Sequence, residues 1–268
     1  MNVNMRAPNK VRAKLDAGKL VTGTAIYTGS PNMVEAAAYA GVDFVRIDTE
    51  HTWRRDDSLD NMIRAAHVAG AVPIVRVDRG DPCLLRKVLE IGAGGIIVPQ
   101  IDTAAEAREV VQAAKFPPLG KRGSGPISQS GEWGRRGVDE WIAWSNTQPL
   151  IGVMIESIDA MSELDAIAQV EGVDFVVFGP NDFRVSLISD IDNAAKDRLV
   201  EDAFRQTIKS FRAAGKHVMY SFAPTNEELD MRIEMGVTML DLSHDVVIVR
   251  LNLQNRVQYI DSKFKSIR

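Results

Sequence analysis

Cysteine and long apolar runs are both scarce in this chain of 268 residues. Its one cysteine, Cys83, excludes an intrachain disulfide and fits a reducing compartment. The longest apolar stretch, residues 149–155, is far shorter than the roughly 18 residues that a membrane-spanning helix needs. Residues 1–20 also lack the apolar core of a secretory signal. We therefore expect a cytoplasmic protein with no membrane partner.

An excess of charge and nucleotide-binding motifs are also lacking. The formal net charge is −4 and there is no polybasic run, so we expect no nucleic-acid partner. No G-x-G-x-x-G sequence follows the first predicted strand, and there is no Walker A pattern. These absences disfavour nucleic-acid recognition and the common nucleotide-binding folds.

Composition and length are those of a globular protein. Apolar residues make up 45% of the chain and charged residues 25%, both close to globular averages. The length fits either two domains or one α/β barrel of about 250 residues. Because no linker or composition shift divides the sequence, we predict one domain over residues 1–268.

A recurring pattern is a glycine followed closely by a short β-branched apolar run. It occurs after Gly41, Gly70, Gly92, Gly172 and Gly236. A glycine that ends a helix and leads into a strand buried on both faces explains the pattern. Three similar apolar runs, at 21–27, 150–155 and 217–221, bring the number of predicted strands to eight. Helical patterns lie between the strands, for example at 103–114 and 158–170.

Eight strand-then-helix repeats predict the α/β class and a (β/α)8 TIM barrel. A doubly wound open sheet is built from the same units and is the alternative. Two segments fall outside the alternation. Residues 116–139 form a long loop rich in glycine, proline and arginine, and such loops are usually functional or disordered. Residues 245–260 have apolar residues at helical spacing, which predicts a closing helix and a candidate partner-binding surface.

Polar side chains gather at the C-terminal ends of the predicted strands, where barrels carry their chemistry. Asp48 and His51 follow the second strand, Arg76 ends the third, Glu156 ends the fifth and Asp182 follows the sixth. Carboxylates, an imidazole and a guanidinium at one mouth suit a divalent cation and an anionic substrate.

Glu156 and Asp182 are the candidate metal ligands. Each ends an apolar run, on consecutive strands, so both side chains can face one spot. Two carboxylates completed by water and substrate oxygens are a common way of holding Mg²⁺. The alternative is that Glu156 pairs with an arginine and Asp182 caps the following helix.

His51 and Arg76 are the candidate catalytic groups. A histidine at a strand exit can act as a general base near neutral pH, with Asp48 or Glu50 orienting it. A loop histidine bonded to a neighbouring carboxylate is the alternative. Arg76 ends an otherwise apolar run and needs an anionic partner, which a carboxylate substrate or Asp48 would provide.

Lysine placement bears on whether the mouth could act through an imine. A Schiff-base enzyme needs a lysine that projects from a strand into the mouth. No lysine of the sequence ends a predicted strand. The pattern therefore favours a metal-dependent route over imine chemistry.

Motifs in order along most of the chain resemble one known family. They are GVDF at 41–44, IDTEH at 47–51, PIVRV at 73–77, GKRG at 120–123, MIE at 154–156 and GPND at 179–182. Together they resemble the HpcH/HpaI aldolases of the phosphoenolpyruvate/pyruvate barrel superfamily. The resemblance implies a class II aldolase that depends on Mg²⁺ or Mn²⁺, with Co²⁺ a further candidate, and acts on pyruvate-type donors.

The resemblance also implies a role for each candidate residue. Glu156 and Asp182 look like the metal ligands. Arg76 resembles the residue that holds the keto oxygen and stabilises the enolate. His51 looks like the acid/base, acting through a bound water, with Asp48 as its supporting carboxylate.

The remaining implications concern the substrate carboxylate and the assembly. The backbone amides of Asn181 and Asp182 look like donors to the carboxylate of the 2-oxo acid. The family implies a swapped C-terminal helix, within 245–268, and dimer-based homo-oligomers that are commonly hexamers. It also implies that Glu90 lies near a neighbouring subunit's site.

The predicted reaction is the reversible cleavage of a 4-hydroxy-2-oxo acid to an aldehyde and pyruvate or a related 2-oxo acid. A citrate-lyase-like enzyme that cleaves an acyl thioester is an alternative, because Arg122, Arg135 and Arg136 could line a basic groove. A non-catalytic 2-oxo acid binding protein is another. Phe183 and Arg184 depart from the family pattern beside the expected acceptor pocket. The acceptor aldehyde is therefore the least transferable part of the resemblance.

Overall fold

The computed structural model describes residues 8–52, 57–79, 81–187, 191–221, 225–265 and 267. All eight predicted strands are present. They are β1 (Val21–Ile26), β2 (Phe44–Asp48), β3 (Val72–Arg76), β4 (Gly95–Val98), β5 (Leu150–Ile155), β6 (Phe175–Phe178), β7 (His217–Ser221) and β8 (Met239–His244).

The strands close into a parallel barrel in sequence order. Each strand pairs with the next, and β8 returns to β1 with Val21 opposite Met239. The register shifts between Gly23 and Ala25, where β1 meets the end of β8. The prediction of a (β/α)8 barrel is thus confirmed, and the open doubly wound sheet is excluded.

Helices cover the outside of the barrel. Those of the described residues are α1 (Lys10–Asp16), α2 (Pro31–Tyr39), α3 (Asp57–Ala69), α4 (Pro82–Glu90), α5 (Ala104–Ala114), α6 (Val138–Thr147), α7 (Leu164–Ala168), α8 (Pro180–Ser186), α9 (Asn193–Ala213), α10 (Asn226–Glu234) and α11 (Asp245–Lys263). Helix α5 begins with a capping box, in which Thr103 and Glu106 each accept a hydrogen bond from the other's backbone N–H.

The helix predicted over 158–170 is wrong in its extent. The segment folds as a 3₁₀ turn, Asp159–Ser162, followed by the short helix α7. Ser157 Oγ accepts a hydrogen bond from Ala160 N at 3.1 Å, and Ser162 Oγ donates one to Asp159 O at 2.9 Å. Such local side-chain bonds compete with the regular helical ladder, which explains the interruption.

The barrel interior is plugged by apolar side chains. Phe44 and Phe175 are fully buried there, together with residues of the other strands. Gly23 and Gly152 make room for these two rings, because a Cβ at either glycine would overlap the facing phenyl group. The plug fills the interior, so polar groups can meet a ligand at the ends of the strands and not inside the barrel.

The long loop before α6 is packed against the protein. Trp141 is fully buried, and its Nε1 donates to Ser130 Oγ at 3.0 Å. The Arg122 guanidinium lies 5.0 Å from the ring of Phe116 and 5.4 Å from that of Trp141. Its aromatic contacts therefore make Arg122 part of the packing of this loop.

Helix α11 confirms the predicted C-terminal helix and leaves apolar side chains exposed. Its buried residue is Asp245, at its first position. Its exposed apolar residues are Val246, Ile248, Val249, Leu251, Leu253, Val257, Tyr259 and Ile260. No helix among the described residues is both long and apolar enough to cross a membrane. The division into one domain stays a prediction.

Candidate active site at the barrel mouth

A cavity of about 460 Å³ opens at the C-terminal ends of the strands. Its wall includes four predicted site residues, His51, Arg76, Asn181 and Asp182. Parallel strands end at one rim of a barrel, which is why residues so far apart in sequence meet here.

Arg76 is the most constrained group in the mouth. It is buried, and its Nε donates to Asp48 Oδ2 at 2.6 Å. Its Nη1 lies 2.9 Å from Glu50 Oε2, and its Nη2 donates to the Tyr27 hydroxyl at 3.2 Å. Asp48 and Arg76 are also paired residues of the β2–β3 ladder. The guanidinium is therefore fixed before any substrate arrives.

Asp48 connects the two arginines with the loop that carries His51. Its Oδ2 accepts hydrogen bonds from Arg76 and, at 3.3 Å, from Arg46 Nη1. Its Oδ1 accepts the backbone N–H of His51 at 2.8 Å. Asp48 thus orients the backbone of His51. Among the described residues, no hydrogen bond joins the Asp48 carboxylate to the His51 imidazole, as the expected support would require.

The His51 imidazole reaches the cavity from the end of β2. Its side chain is 53% exposed, and its Nε2 lies 3.8 Å from Glu50 Oε2. Glu50 is therefore the nearer carboxylate to the ring. Burial raises the pKa of Glu50, and the Arg76 guanidinium opposes that rise. The neighbouring residues 53–56 lie outside the described part of the chain.

Glu156 follows β5 and is buried at the rim. Its Oε1 accepts the backbone N–H of Gln100 at 2.7 Å. Gln100 has a φ of 56°, a left-handed conformation that is uncommon outside glycine and aims its N–H at the carboxylate. Burial raises the pKa of Glu156 to about 7, and the negative charges of Glu50 and Asp182 add to the rise.

Asp182 lies in the first turn of α8 and is exposed. The N-cap of that helix is Gly179, whose N–H donates to Ile155 O at 2.9 Å, so Asp182 is not the cap. A Cβ at Gly179 would come within 2.6 Å of Glu156 Oε2. The glycine therefore lets the start of α8, and Asp182 with it, approach Glu156.

The carboxylates of Glu156 and Asp182 fit a hard divalent cation. They follow neighbouring strands, and within the described residues neither forms an ion pair with an arginine. The described part of the chain contains no group of three or more histidine, cysteine or acidic side chains that could hold a metal. Two carboxylates with an otherwise open coordination sphere suit Mg²⁺ or Mn²⁺, which usually keep water or substrate oxygens.

Sequence reasoning missed a buried ion pair beneath the mouth. Arg46, inside β2, donates through Nε to Asp241 Oδ2 at 2.6 Å, and both side chains are almost fully buried. Its Nη2 lies 3.4 Å from His244 Nε2. Burial, together with the positive charge of Arg46, lowers the pKa of His244. A charged residue in the middle of an apolar strand was the available signal.

Glu90 lies away from the mouth, at the end of α4. Its carboxylate is 3.9 Å from Arg86 Nε, and its backbone oxygen accepts Ser130 N–H at 2.9 Å. Within one chain it takes no part in the cavity wall, so its expected place near a neighbouring subunit's site stays a prediction.

Comparisons with known proteins agree with the barrel fold. The sequence matches the model of the family described as HpcH/HpaI aldolase/citrate lyase over residues 26–250. A 2-keto-3-deoxy-L-rhamnonate aldolase of Salmonella paratyphi A is 35% identical over 99% of this chain and 97% of its own. An aldolase of the family from Desulfitobacterium hafniense superposes with a TM-score of 0.86 at 29% identity, covering 93% of this chain and 96% of that one.

A second solved structure widens the chemistry found on this fold. The citrate synthase SbnG superposes with a TM-score of 0.85 at 29% identity, covering 96% of this chain and 99% of its own. The matches span nearly the whole barrel and include every strand that carries a site residue. This chain belongs to the HpcH/HpaI aldolase/citrate lyase family and is a lyase.

Proposed function

We propose that this protein is a metal-dependent class II aldolase. It reversibly cleaves a 4-hydroxy-2-oxo acid to an aldehyde and pyruvate or a related 2-oxo acid. The observation that carries the proposal is the fixed Arg76 guanidinium in a mouth that also holds the carboxylates of Glu156 and Asp182. The similarity to 2-keto-3-deoxy-L-rhamnonate aldolases supports a 2-oxo-3-deoxy acid as the substrate class.

In the cleavage direction the C3–C4 bond breaks. The C4 hydroxyl gives up its proton and becomes the aldehyde carbonyl, while the bonding electrons pass to C3 and form an enolate. The enolate then takes a proton at C3 and becomes the 2-oxo acid. Atoms and charge balance without an oxidant or a second substrate.

Glu156 and Asp182 would hold the cation, and the backbone amides of Asn181 and Asp182 would bind the substrate carboxylate. Bound Mg²⁺, Mn²⁺ or Co²⁺ supplies a Lewis acid that polarises the 2-oxo group. A bound cation would favour the ionised form of Glu156, whose pKa is raised by burial and by its acidic neighbours.

Arg76 stabilises the negative charge that develops on the 2-oxo oxygen. Its bonds to Asp48, Glu50 and Tyr27 hold the guanidinium in place, so little reorganisation is needed during the reaction. His51 removes the proton of the C4 hydroxyl and returns a proton in the reverse direction. Asp48 positions His51 through its backbone N–H.

Exchange of the pyruvate methyl protons for deuterium tests the enolate step without an aldehyde. In NMR spectra recorded in D₂O, we expect exchange with Mg²⁺ or Mn²⁺ and its loss after treatment with EDTA. Full exchange in metal-stripped protein would refute the metal requirement. Tight pyruvate binding without exchange under any condition would instead support a non-catalytic binding protein.

The thioester alternative receives no support from the three arginines that kept it open. The Arg122 guanidinium lies beside the rings of Phe116 and Trp141, and the Arg136 guanidinium lies 4.6 Å from the ring of Trp144. Arg135 Nη2 pairs with Glu132 at 2.7 Å. Arg122 and Arg136 are buried in the packing of the loop, Arg135 is exposed, and none of the three lines the cavity at the mouth.

We also propose a cytoplasmic homo-oligomer built from dimers, with a hexamer as the expected assembly. The exposed apolar residues of α11 support packing against a second copy, as a swapped helix would, and Glu90 would then approach the neighbouring site. Light scattering after size exclusion tests this. Leu253→Lys on α11 should reduce the oligomer mass, whereas Val68→Lys, which alters an exposed apolar residue of α3, should not. An unchanged mass for Leu253→Lys would refute the proposal.

A further inference from the structure

The side of the mouth opposite Arg76 carries a polar cluster that the proposed chemistry does not use. Arg76 ends β3, whereas Tyr220 lies in β7, and these strands are diametrically opposed in the ring of eight. Tyr220 of β7 and Glu228 of α10 line the same cavity as Arg76. A donor bound between β3 and the acidic groups of β5 and β6 would leave this side for the second substrate.

The Glu228 carboxylate is held by one of its oxygens. The Tyr220 hydroxyl donates to Glu228 Oε1 at 2.5 Å, and Arg232 Nη2 donates to the same atom at 3.4 Å. The backbone N–H of Glu228 donates to Thr225 Oγ1 at 3.2 Å, which fixes the first turn of α10. Both bonds to the carboxylate go to Oε1. Within the described residues Oε2 has no hydrogen-bond partner and could accept one from a ligand.

Arg232 holds this arrangement from behind. Its Nη1 donates to both oxygens of Glu201, at 3.0 and 2.8 Å. Its guanidinium lies 5.1 Å from the Phe204 ring and 4.8 Å from the Tyr220 ring. Shared between two carboxylates and packed against two rings, Arg232 is a positioning residue. Burial and the Glu228 carboxylate raise the pKa of Tyr220 to about 12, so its hydroxyl remains a donor.

The other arginine in the cavity wall is already neutralised. Arg46 pairs with Asp241 through Nε and with Asp48 through Nη1. On the Tyr220 side the nearest carboxylate to a second substrate is that of Glu228, and the cation beside it, Arg232, is shared with Glu201. An anionic group placed there would be repelled, whereas a hydroxyl could donate to Glu228 Oε2.

We propose that Tyr220 and Glu228 form the acceptor subsite, which selects an uncharged hydroxyaldehyde and rejects aldehydes that carry a carboxylate or phosphate. The proposal rests on the proposed aldolase function, because it takes the Arg76 side as the donor site. Selection has two parts: the hydroxyl satisfies a carboxylate oxygen, and the negative charge of Glu228 excludes a second negative charge.

The experiment compares aldol addition of pyruvate to three aldehydes. Lactaldehyde has a hydroxyl and no charge, propanal lacks the hydroxyl, and succinic semialdehyde is anionic. We expect kcat/KM for lactaldehyde to exceed that for each of the others by about tenfold or more. In Glu228→Gln the disadvantage of succinic semialdehyde should shrink by about tenfold, because the like charge is gone.

Glu227→Gln is the matched control. Glu227 precedes Glu228 on α10 and is exposed, so the substitution removes the same charge from the same helix turn. It should keep the wild-type order of aldehydes. The same change in Glu227→Gln as in Glu228→Gln, or a wild-type enzyme that accepts succinic semialdehyde as well as lactaldehyde, would overturn the acceptor subsite.

Deuterium exchange into pyruvate separates the two proposals, since it needs no aldehyde. Exchange by the wild-type enzyme without the expected aldehyde preference overturns the acceptor subsite alone. Absence of both exchange and aldol addition in metal-loaded protein overturns the aldolase function, and the subsite with it.

Discussion

Replacing Asp48 with asparagine tests whether the carboxylate that binds Arg76 and Arg46 is excluded from water. The Asp48 side chain has no exposed surface, and it accepts hydrogen bonds from Arg76 and Arg46. Asparagine keeps the shape but removes the charge that both guanidinium groups face. Breaking a buried pair on one side costs about 3–5 kcal/mol, because the remaining charge is left buried.

The thermal midpoint gives the magnitude in measurable form. The unfolding entropy of a chain of this length is about 0.6 kcal/mol per kelvin, so the expected fall in Tm is about 5–8 °C. Calorimetry measures that fall, and the deuterium exchange of pyruvate should fall with it because Arg76 loses an anchor. The control is Asp43→Asn, at the other end of the same strand region, where the Lys14 partner is 47% exposed.

Loss of the Lys14 ion pair should cost no more than about 1 kcal/mol, because Lys14 is largely solvated, and asparagine can still accept the Thr22 N–H that Asp43 accepts at 3.0 Å. If Asp48→Asn lowers Tm no further than Asp43→Asn, the two arginines do not depend on a desolvated Asp48. The preorganisation assigned to Arg76 would then be refuted as well.

Three further predictions concern two glycines and a buried lysine. Gly179→Ala should weaken Mn²⁺ binding by roughly 10- to 100-fold in a titration followed by electron paramagnetic resonance, because its Cβ would displace the Glu156 carboxylate; unchanged affinity would contradict the site. Gly152→Ala should lower the free energy of unfolding by about 1–3 kcal/mol in urea, because its Cβ overlaps the Phe175 ring; an equally stable variant would contradict the described packing. Burial lowers the pKa of Lys115 to about 8 from its usual 10.5. The unfolded chain therefore binds more protons between pH 8 and 10.5, so this lysine makes stability rise with pH there. Lys115→Met should flatten that rise in denaturation curves measured across this range, and an unchanged slope would contradict the assignment.

The strands were predictable because most of them, β2 to β6, are buried on both faces. A glycine followed by β-branched residues marks five of the strands, three further apolar runs complete the eight, and eight strand-then-helix units favour a barrel. The segment after β5 was not predictable to the same extent. Ser157 and Ser162 bond to nearby backbone groups, and a helical spacing of apolar residues does not register that competition.

The candidate site was predictable where a residue ends a strand and not where its partner lies far along the chain. Asp48, Arg76 and Glu156 follow directly from the rule that parallel strands end at one rim. The Arg46–Asp241 pair joins residues 195 positions apart, and it depends on how β8 closes against β1. Likewise, the sequence alone does not predict that Asp48 binds the backbone N–H of His51 while Glu50 lies nearer its ring.

The contrast between residues that end strands and residues held by distant partners bears on how one barrel accommodates different acceptors. On the proposed function, the donor side is built from residues that end strands, and Asp48 and Arg76 are locked by the pairing of β2 with β3. The proposed acceptor side would depend on Glu228, which lies on a helix and is held by Tyr220 and Arg232. A change on α10 can alter that side without moving a strand. A 2-keto-3-deoxy-L-rhamnonate aldolase and a citrate synthase both resemble this chain over nearly its whole length, as expected when the reaction depends on the residues around the site and not on the fold alone.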